Sequence, residues 1–482
     1  MRRHLLVPDW TVVLLALVST LAVAAAPATA GINRWTSLGP EDAPGAEILE
    51  LLIDAERPDI VYSTVARSSS FRSVDGGRTW ASLGDTLPTT VRALAQATAD
   101  PRLLFAGTSI GVYRSVDRGL SWTGPLSFFG DRPPAVSGLA IDPADPGRVI
   151  AVGTTRVIPI PVSFFDVTTD GGATWSRSPA PVDVPEAVAI DPRTPEVVVV
   201  AGYGIARSTD GGGSWEQVLA AFPPDREARF LTSLEIAPSD PSVLYAASPT
   251  LLPDVERLFK STDGGLSWFV PSHDLDELAV MDLAVDPQSP EIVYAATSEG
   301  VWLSRDGSVT WESLGALDDE VTRLAAHPLF PRTIYAGTDA SGVHKLTRST
   351  VDGCAPGEAL CLHGDRFHVE VAFRDFAGRS GRGQAERLTE DSGYFWFFDP
   401  DNVEVTLKAL DGRGFNDHFW VFYASLSNVR YIAQVTDTVT ERVRAYLNPA
   451  GSFASVGDIE AFPGDGGLSR GPHPGLHADA GR

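Results

Sequence analysis

An eight-residue motif recurs six times along this chain and limits its fold more than any other feature. Each copy, termed a box, has the pattern Ser/Thr-x-Asp-x-Gly-x-Ser/Thr-Trp, and the sixth copy has serine in place of glycine. Asp and Ser side chains hydrogen-bond backbone amides in tight turns, glycine allows positive φ, and tryptophan packs beside the turn. We therefore expect a structural role for the box residues, which are Ser73, Asp75, Gly77, Trp80, Ser115, Asp117, Gly119, Trp122, Thr168, Asp170, Gly172, Trp175, Ser208, Asp210, Gly212, Trp215, Ser261, Asp263, Gly265, Trp268, Ser304, Asp306 and Trp311.

The spacing of the boxes indicates the repeating unit. Successive box aspartates lie 42, 53, 40, 53 and 43 residues apart, which is the length of one four-stranded propeller blade. Before the box, a unit carries a strand ending in an Asp-Pro turn and then a short apolar run, as in 139–143 and 149–152. Short strands separated by Asp-Pro and Asp-Gly turns predict an all-β array.

A seventh, incomplete unit follows the sixth box. Residues 321–328, 333–338 and 342–346 predict three strands and no fourth. The sequence Trp-Thr-Ser-Leu-Gly at 35–39 matches Trp-Glu-Ser-Leu-Gly at 311–315, so an N-terminal strand is expected to complete the last blade. Such closure removes exposed sheet edges, and the whole segment 31–350 is predicted to be a seven-bladed β-propeller.

The six boxes resemble the Asp-box, or BNR repeat, of sialidases, sortilin-type receptors, xyloglucanases and photosystem II assembly factors. The resemblance implies the fold and not a reaction, and it places the boxes away from the binding face. An Arg-Ile-Pro motif typical of sialidases is missing near the start, and xyloglucanases pair two propellers where this chain has room for one. A single seven-bladed propeller is most similar to the sortilin-type and assembly-factor group, which implies binding without catalysis.

Beyond the propeller the hydrophobic pattern changes. Residues 354–462 contain about seven alternating apolar and polar strands, which predict a small β-sandwich-like domain similar to a module of exported bacterial proteins. Its most aromatic segment, 392–400, fits a core strand better than a ligand platform, which would need exposed alternate rings. The tail at 463–482 is rich in glycine and proline and is predicted to be disordered.

The N-terminus predicts export. Residues 1–30 combine two arginines, an apolar run and Ala-Thr-Ala before Gly31, as in a cleaved signal peptide, with a retained anchor as the alternative. A secreted or periplasmic protein is expected, with no integral membrane segment after cleavage and with a monomeric state. The formal net charge of −24 disfavours nucleic-acid binding, because an acidic surface repels phosphates.

Two cysteines, Cys354 and Cys361, are the only ones in the chain. In an oxidising compartment their spacing favours one local disulfide, worth about 2–3 kcal/mol. A metal site would need more ligands than His363 and His368 offer, so no metal and no cofactor are expected.

Loops between second and third strands and between blades are predicted to share one face, the loop face, opposite the face that carries the boxes and Asp-Pro turns, the box face. The two intervals of 53 residues add length to these loops, and loops on a rigid scaffold commonly carry binding sites. Aromatic and arginine side chains are enriched at interfaces, so the loop face is predicted to bind a protein or glycan partner. The candidate binding residues are Phe128, Phe129, Arg132, Arg156, Phe164, Phe165, Phe222, Arg226 and Arg257.

The alternative function is glycoside hydrolysis, which needs two carboxylates flanking the scissile bond. The predicted loop face offers many, namely Asp225, Asp254, Glu256, Asp274, Asp276, Glu277, Asp318 and Asp319. No pair among them is singled out by the sequence, and acidic loops are common in so acidic a chain. No catalytic residue is therefore assigned, and a binding or scaffolding protein is the favoured interpretation.

Overall fold

The computed structural model of the protein describes residues 35–464, except 41–44, 67–68, 84–86, 88–89, 127–133, 156–161, 221–229, 252–255, 273, 331, 349–356, 358, 377–378 and 441. Seven small antiparallel sheets form a β-propeller, and two five-stranded sheets form a C-terminal β-sandwich. The predicted all-β fold is confirmed. In the described part of the chain, no helix has the length and apolar character needed to cross a membrane.

Within each propeller blade, strands that follow one another along the chain are neighbours in the sheet. They are β1 (Thr36–Gly39); in blade one β2 (Ile48–Ile53), β3 (Val61–Val65), β4 (Phe71–Ser73) and β5 (Ala81–Ser82); in blade two β6 (Val91–Gln96), β7 (Leu104–Thr108) and β8 (Gly111–Ser115); in blade three β9 (Pro134–Ile141), β10 (Val149–Thr155), β11 (Val162–Thr168) and β12 (Ser176–Pro179); in blade four β13 (Asp183–Ile190), β14 (Val198–Ser208) and β15 (Glu216–Leu219); in blade five β16 (Ser233–Ile236), β17 (Leu244–Ala247) and β18 (Leu258–Ser261); in blade six β19 (Val280–Asp286), β20 (Ser289–Thr297), β21 (Gly300–Ser304) and β22 (Glu312–Ser313); and in blade seven β23 (Val321–Ala326), β24 (Thr333–Thr338) and β25 (Val343–Thr347).

The N-terminal strand lies in the last blade. Strand β1 pairs antiparallel with β25, with Thr36 opposite Lys345. The indole of Trp35 donates a hydrogen bond to the Leu314 carbonyl at 3.1 Å, which attaches the strand to blade six as well. Blade seven is thus built from both ends of the propeller sequence.

The propeller core lies in the seams between blades. The apolar run at the start of β14, Val198–Ala201, is almost fully buried, and alternate residues of it pack toward blade three and blade five. Phe165 of blade three meets Trp215 of blade four edge to face, with ring centroids 5.0 Å apart. Burial on both faces explains why the middle strands are continuous apolar runs and do not alternate.

Each box closes the same hydrogen-bond network. In blade three, the Thr168 hydroxyl donates to Asp170 Oδ1 and accepts from the Gly172 amide, while the Thr174 amide and hydroxyl both donate to the Asp170 carboxylate. These hydrogen bonds lower the pKa of the Asp170 carboxyl to about 2, with the Thr174 hydroxyl as the largest cause. The other five boxes repeat the arrangement. The box carboxylates therefore hold the turn together.

The sandwich packs two sheets over an aromatic core that includes Phe367, Phe395, Phe419 and Phe462. Its elements are β26 (Leu360–Leu362), β27 (Phe367–Arg374), β28 (Ser380–Arg382), β29 (Gln384–Arg387), β30 (Ser392–Trp396), β31 (Val405–Asp411), the short helix α1 (Arg413–Asn416), β32 (His418–Ser425), β33 (Arg430–Asp437), β34 (Val443–Asn448) and β35 (Ser455–Pro463).

The aromatic segment at 392–400 divides between core and surface. Phe395 and Phe397 are buried, as expected of a core strand, whereas Tyr394 and Trp396 are partly exposed on the opposite side of β30. Cys361 is buried in β26, and Cys354 lies outside the described residues, so the disulfide stays a prediction.

The sandwich packs against the box face of the propeller. Leu329 and Phe330, in the turn between β23 and β24, are buried against Ala372 and Ile432 of the sandwich. Arg78, inside the first box, donates to the Val443 carbonyl at 2.9 Å, and Arg332 and Glu370 form an ion pair at 3.7 Å. Because turns between first and second strands lie on the same side as the boxes, these contacts of the described residues place the sandwich opposite the loop face.

Candidate functional site

The structure corrects the predicted role of two aromatic side chains. Phe164 and Phe165, expected to contact a partner, are 1% and 2% exposed and lie in β11. Phe164 packs in the seam with blade two, and Phe165 packs in the seam with blade four. Both rings point into seams because β11 continues through what the sequence pattern indicated as a loop. Neither ring has surface available to a ligand.

Arg257 also differs from its predicted role. Its side chain lies at the loop face but is buried, and its Nε donates to the Thr250 carbonyl at 2.9 Å. The guanidinium therefore fastens the loop between β17 and β18, which makes it a poor exposed anchor for a partner.

The remaining candidate binding residues fall in segments outside the described residues, as do two of the candidate carboxylates, so these predictions stay open. They are Phe128, Phe129, Arg132, Arg156, Phe222, Arg226, Asp225 and Asp254.

The other candidate carboxylates lie in loops of the loop face, before β18, β19 and β23. Asp274, Glu277 and Asp318 are exposed, while Glu256, Asp276 and Asp319 are partly buried. Within the described ranges, no group of three or more His, Cys, Asp or Glu side chains is arranged to hold a metal ion.

A different set of carboxylates converges on the propeller axis. The first strands of the blades surround a central channel of about 540 Å³, lined by Glu50, Arg92, Glu186, Glu235, Asp282 and Arg323 among other residues. The pairing of the first strand shifts by a β-bulge near its start in six blades, for example between Ile48 and Glu50 and between Val280 and Asp282. A bulge redirects the side chains that follow it, and here it turns polar residues toward the axis.

Burial shifts the ionisation of these channel carboxyls. Desolvation, together with the nearby charges of Asp282 and Glu50, raises the pKa of Glu235 to about 8. Desolvation likewise raises the pKa of Glu50 to about 8, against the opposing charge of Arg323. The pKa values of Asp282 and Glu186 are also raised by burial. Glu50 and Glu235 are therefore mostly protonated at neutral pH, and each can both donate and accept a hydrogen bond.

Asp282 connects three blades. Its Oδ1 accepts from the Ser233 hydroxyl of blade five at 2.9 Å, and its Oδ2 accepts from the Leu324 amide of blade seven at 2.9 Å. Hydroxyls at the bulge positions make similar links, since Ser137 donates to the Pro185 carbonyl and Thr322 to the Ile48 carbonyl of the next blade. The channel wall is thus held in place by side-chain bonds across the seams.

The channel carboxyls were not among the functional residues predicted from the sequence. Glu50, Glu235 and Asp282 each stand among apolar neighbours in the first strand of a blade, and a charged residue near the same place in several repeats was the available signal. For Glu50 and Asp282 the direction of the side chain depends on the bulge that precedes it, which simple strand alternation does not predict.

The fold and site define an all-β protein with one closed seven-bladed propeller, an open loop face and a polar axial channel. No family model matches the chain. An alignment 375 residues long, which covers 62% of this chain and 35% of the relative, shows 25% identity to a xyloglucanase from Paenibacillus sp. The match thus covers about a third of the relative's length.

Two solved structures share the architecture at low sequence identity. The glycoside hydrolase family 74 enzyme of Niastella koreensis superposes with a TM-score of 0.52 and 15% identity, covering 89% of this chain and 73% of the enzyme. An ancestral enzyme of the same family gives a TM-score of 0.52 and 15% identity, covering 86% of this chain and 63% of the enzyme. Both likenesses support the propeller fold.

Proposed function

We propose that the protein is an exported glycan-binding protein that holds a neutral glucan chain of the xyloglucan type across its loop face. The observation that carries the proposal is the docking of the sandwich on the box face, so that the described part of the sandwich does not compete with a ligand at the loop face. The similarity to a xyloglucanase supports a glucan as the ligand.

The chemistry of the channel suits such a ligand. Glu50 and Glu235, protonated at neutral pH, and Arg92 and Arg323 present donors, and the carboxyl groups also present acceptors. Sugar hydroxyls both donate and accept hydrogen bonds, so an uncharged, hydroxyl-rich chain can be bound without burying a further charge.

A matched pair of variants in blade two tests the proposal. Arg92 is exposed and lines the channel at the start of β6, whereas Arg102 is exposed in the turn after the same strand, on the box face. We expect Arg92→Ala to weaken the binding of xyloglucan oligosaccharides about tenfold in calorimetry, because a hydrogen bond from a charged donor is lost, and Arg102→Ala to bind as the unmodified protein does.

Three results would count against glycan binding at this face. They are no heat of binding at millimolar oligosaccharide, equal weakening by both variants, and retention of a protein from an extract without any glycan binding. The last result would favour a protein partner for the same face.

Hydrolysis of the same ligand is the second candidate function. Glu235 keeps its proton at neutral pH, as a general acid must, and Asp282 lies near enough to influence its pKa. Release of reducing sugar from xyloglucan that disappears in both Glu235→Gln and Asp282→Asn would establish an enzyme. Binding without any release by the unmodified protein would leave the binding function alone.

A further inference from the structure

A second cavity lies where the two domains meet, remote from the loop face. This junction cavity has a volume of about 460 Å³, within the range of small-molecule sites. Its accessible apolar wall comes from Val443, Ala445 and Leu447 of the sandwich, with the buried Phe330 and Ile432 behind them. Lys345 and Arg57 belong to its polar wall. The Arg57 side chain is 46% exposed, so the cavity communicates with solvent on that side.

The junction cavity is cationic in a strongly acidic chain. Four basic side chains line it, Arg57, Arg78, Lys345 and Arg444, against two carboxylates, Asp59 and Asp75. Asp59 is paired with Arg57 at 3.5 Å, and the Asp75 carboxylate accepts the hydrogen bonds of the first box. The formal excess of two positive charges contrasts with the net charge of −24 of the whole chain.

Lys345 differs from the corresponding lysine of another blade. Lys260 of blade five faces Tyr245 across the sheet, as Lys345 faces Tyr335, but the Lys260 ammonium donates to the Gly307 carbonyl at 3.0 Å and lies 3.6 Å from Glu291. Lys345 sits over the Tyr335 ring at 5.0 Å, and among the described residues no carboxylate lies within 4.0 Å of its ammonium.

The difference has a cause in the sequence of the next blade. Glu291 lies five residues after Asp286, the turn aspartate of blade six. The residue five positions after Asp54, the turn aspartate of blade one, is Asp59. Its side chain is one methylene shorter than that of glutamate, and it is paired with Arg57. The ammonium of Lys345 is therefore left to face the cavity.

His327 adds a neutral donor to the same wall. Its Nδ1 accepts hydrogen bonds from the Leu329 and Phe330 amides, which places the ring proton on Nε2. Burial lowers the pKa of His327 to about 3, so the ring is neutral across the physiological range. The imidazole lines the cavity with this tautomer fixed by the turn.

We propose that the junction cavity binds a small amphipathic carboxylate. The carboxylate group is held by the Lys345 ammonium with Arg57 and the His327 Nε2–H close by, and the hydrocarbon part packs on the accessible side chains of Val443, Ala445 and Leu447. Because these residues come from both domains, the ligand also links the sandwich to the propeller.

Calorimetric titration of the full chain with sodium octanoate, and separately with octanol, tests the charge requirement on the unmodified protein. We expect octanoate to bind and octanol to bind at least tenfold more weakly, because the alcohol lacks the charge-assisted hydrogen bonds. Equal affinities for acid and alcohol, or no octanoate binding at millimolar concentration, would overturn the proposal without any variant.

Three lysine variants then locate the site. Lys345→Met should weaken octanoate binding about ten- to a hundredfold, and Lys345→Arg should retain it within about threefold because the charge remains. Lys408, exposed on the outer face of the sandwich beside a separate apolar groove, provides the control Lys408→Met, which should bind normally. Unchanged binding in Lys345→Met, or loss in Lys408→Met with a normal thermal melt, would overturn the assignment.

Discussion

Replacing Glu235 by glutamine should make the stability of the protein less sensitive to alkaline pH. The ordinary pKa of this carboxyl is 4.5 and the folded protein raises it to about 8, so the native state holds more protons than the unfolded state between these values. The free energy of unfolding therefore falls as pH rises through this window and levels off above pH 8. Glutamine cannot ionise, so the variant lacks this loss.

The magnitude follows from the size of the shift. A change of about 3.5 pKa units at 1.36 kcal/mol per unit corresponds to about 5 kcal/mol as an upper value. The Glu235 side chain is only partly buried, and its ionisation is coupled to that of Glu50 and Asp282, so we expect about 2–4 kcal/mol.

The assay is urea unfolding followed by tryptophan fluorescence at pH 5, 7 and 9. The stability of Glu235→Gln relative to the unmodified protein should rise by about 2–4 kcal/mol between pH 5 and pH 9. Glu216→Gln, an exposed position on β15, is the control and should show a constant difference. A pH-independent difference for Glu235→Gln, or a difference that falls toward pH 9, would refute the buried-carboxyl explanation.

Further predictions concern the box, the turn histidine and the cysteines. Gly212 has a φ of +102°, and an added Cβ would lie 2.5 Å from the Phe165 ring, so Gly212→Ala should cost about 2 kcal/mol or more in urea unfolding. Ser308 occupies the equivalent position in the sixth box with a φ of +73°, and Ser308→Gly should leave stability unchanged or raise it by about 1 kcal/mol; a clear loss would contradict the strain argument. The pKa of His327 is lowered to about 3 from 6.5, so the contribution of the neutral ring to the free energy of unfolding is complete above pH 6.5 and is lost as pH falls. Asparagine can accept the same two amide hydrogen bonds without titrating, so between pH 6.5 and pH 4 the free energy of unfolding of His327→Asn should fall by about 3 kcal/mol less than that of the unmodified protein. Parallel pH profiles of the two proteins would show that the histidine is not responsible. Intact mass should be two hydrogens below the reduced value if Cys354 and Cys361 are linked, and two alkylated thiols in native protein would exclude the disulfide.

The repeat explains how much of the fold can be read from the sequence. Box turns depend on contacts within eight residues, as the bonds around Asp170 show, so a local pattern is sufficient to predict them. The position of the N-terminal strand was also predictable, because Trp35–Gly39 repeats the motif of a fourth strand and so pairs with β25.

The site depended on information that no local pattern contains. Phe164 and Phe165 were expected on the loop face, but β11 extends through that stretch and both rings fill seams with neighbouring blades. The carboxyls Glu50, Glu235 and Asp282 come from blades one, five and six, and only the closed ring brings them to one axis.

The sequence by itself therefore determined the blade, its turns and the number of blades, because these follow from short-range hydrogen bonds and strand periodicity. The tertiary structure decided which propeller face the sandwich covers, since the two domains meet at the box face through Leu329, Phe330 and Ile432. It also decided which charges are buried together, because desolvation and the approach of like charges arise only once distant strands meet around the channel.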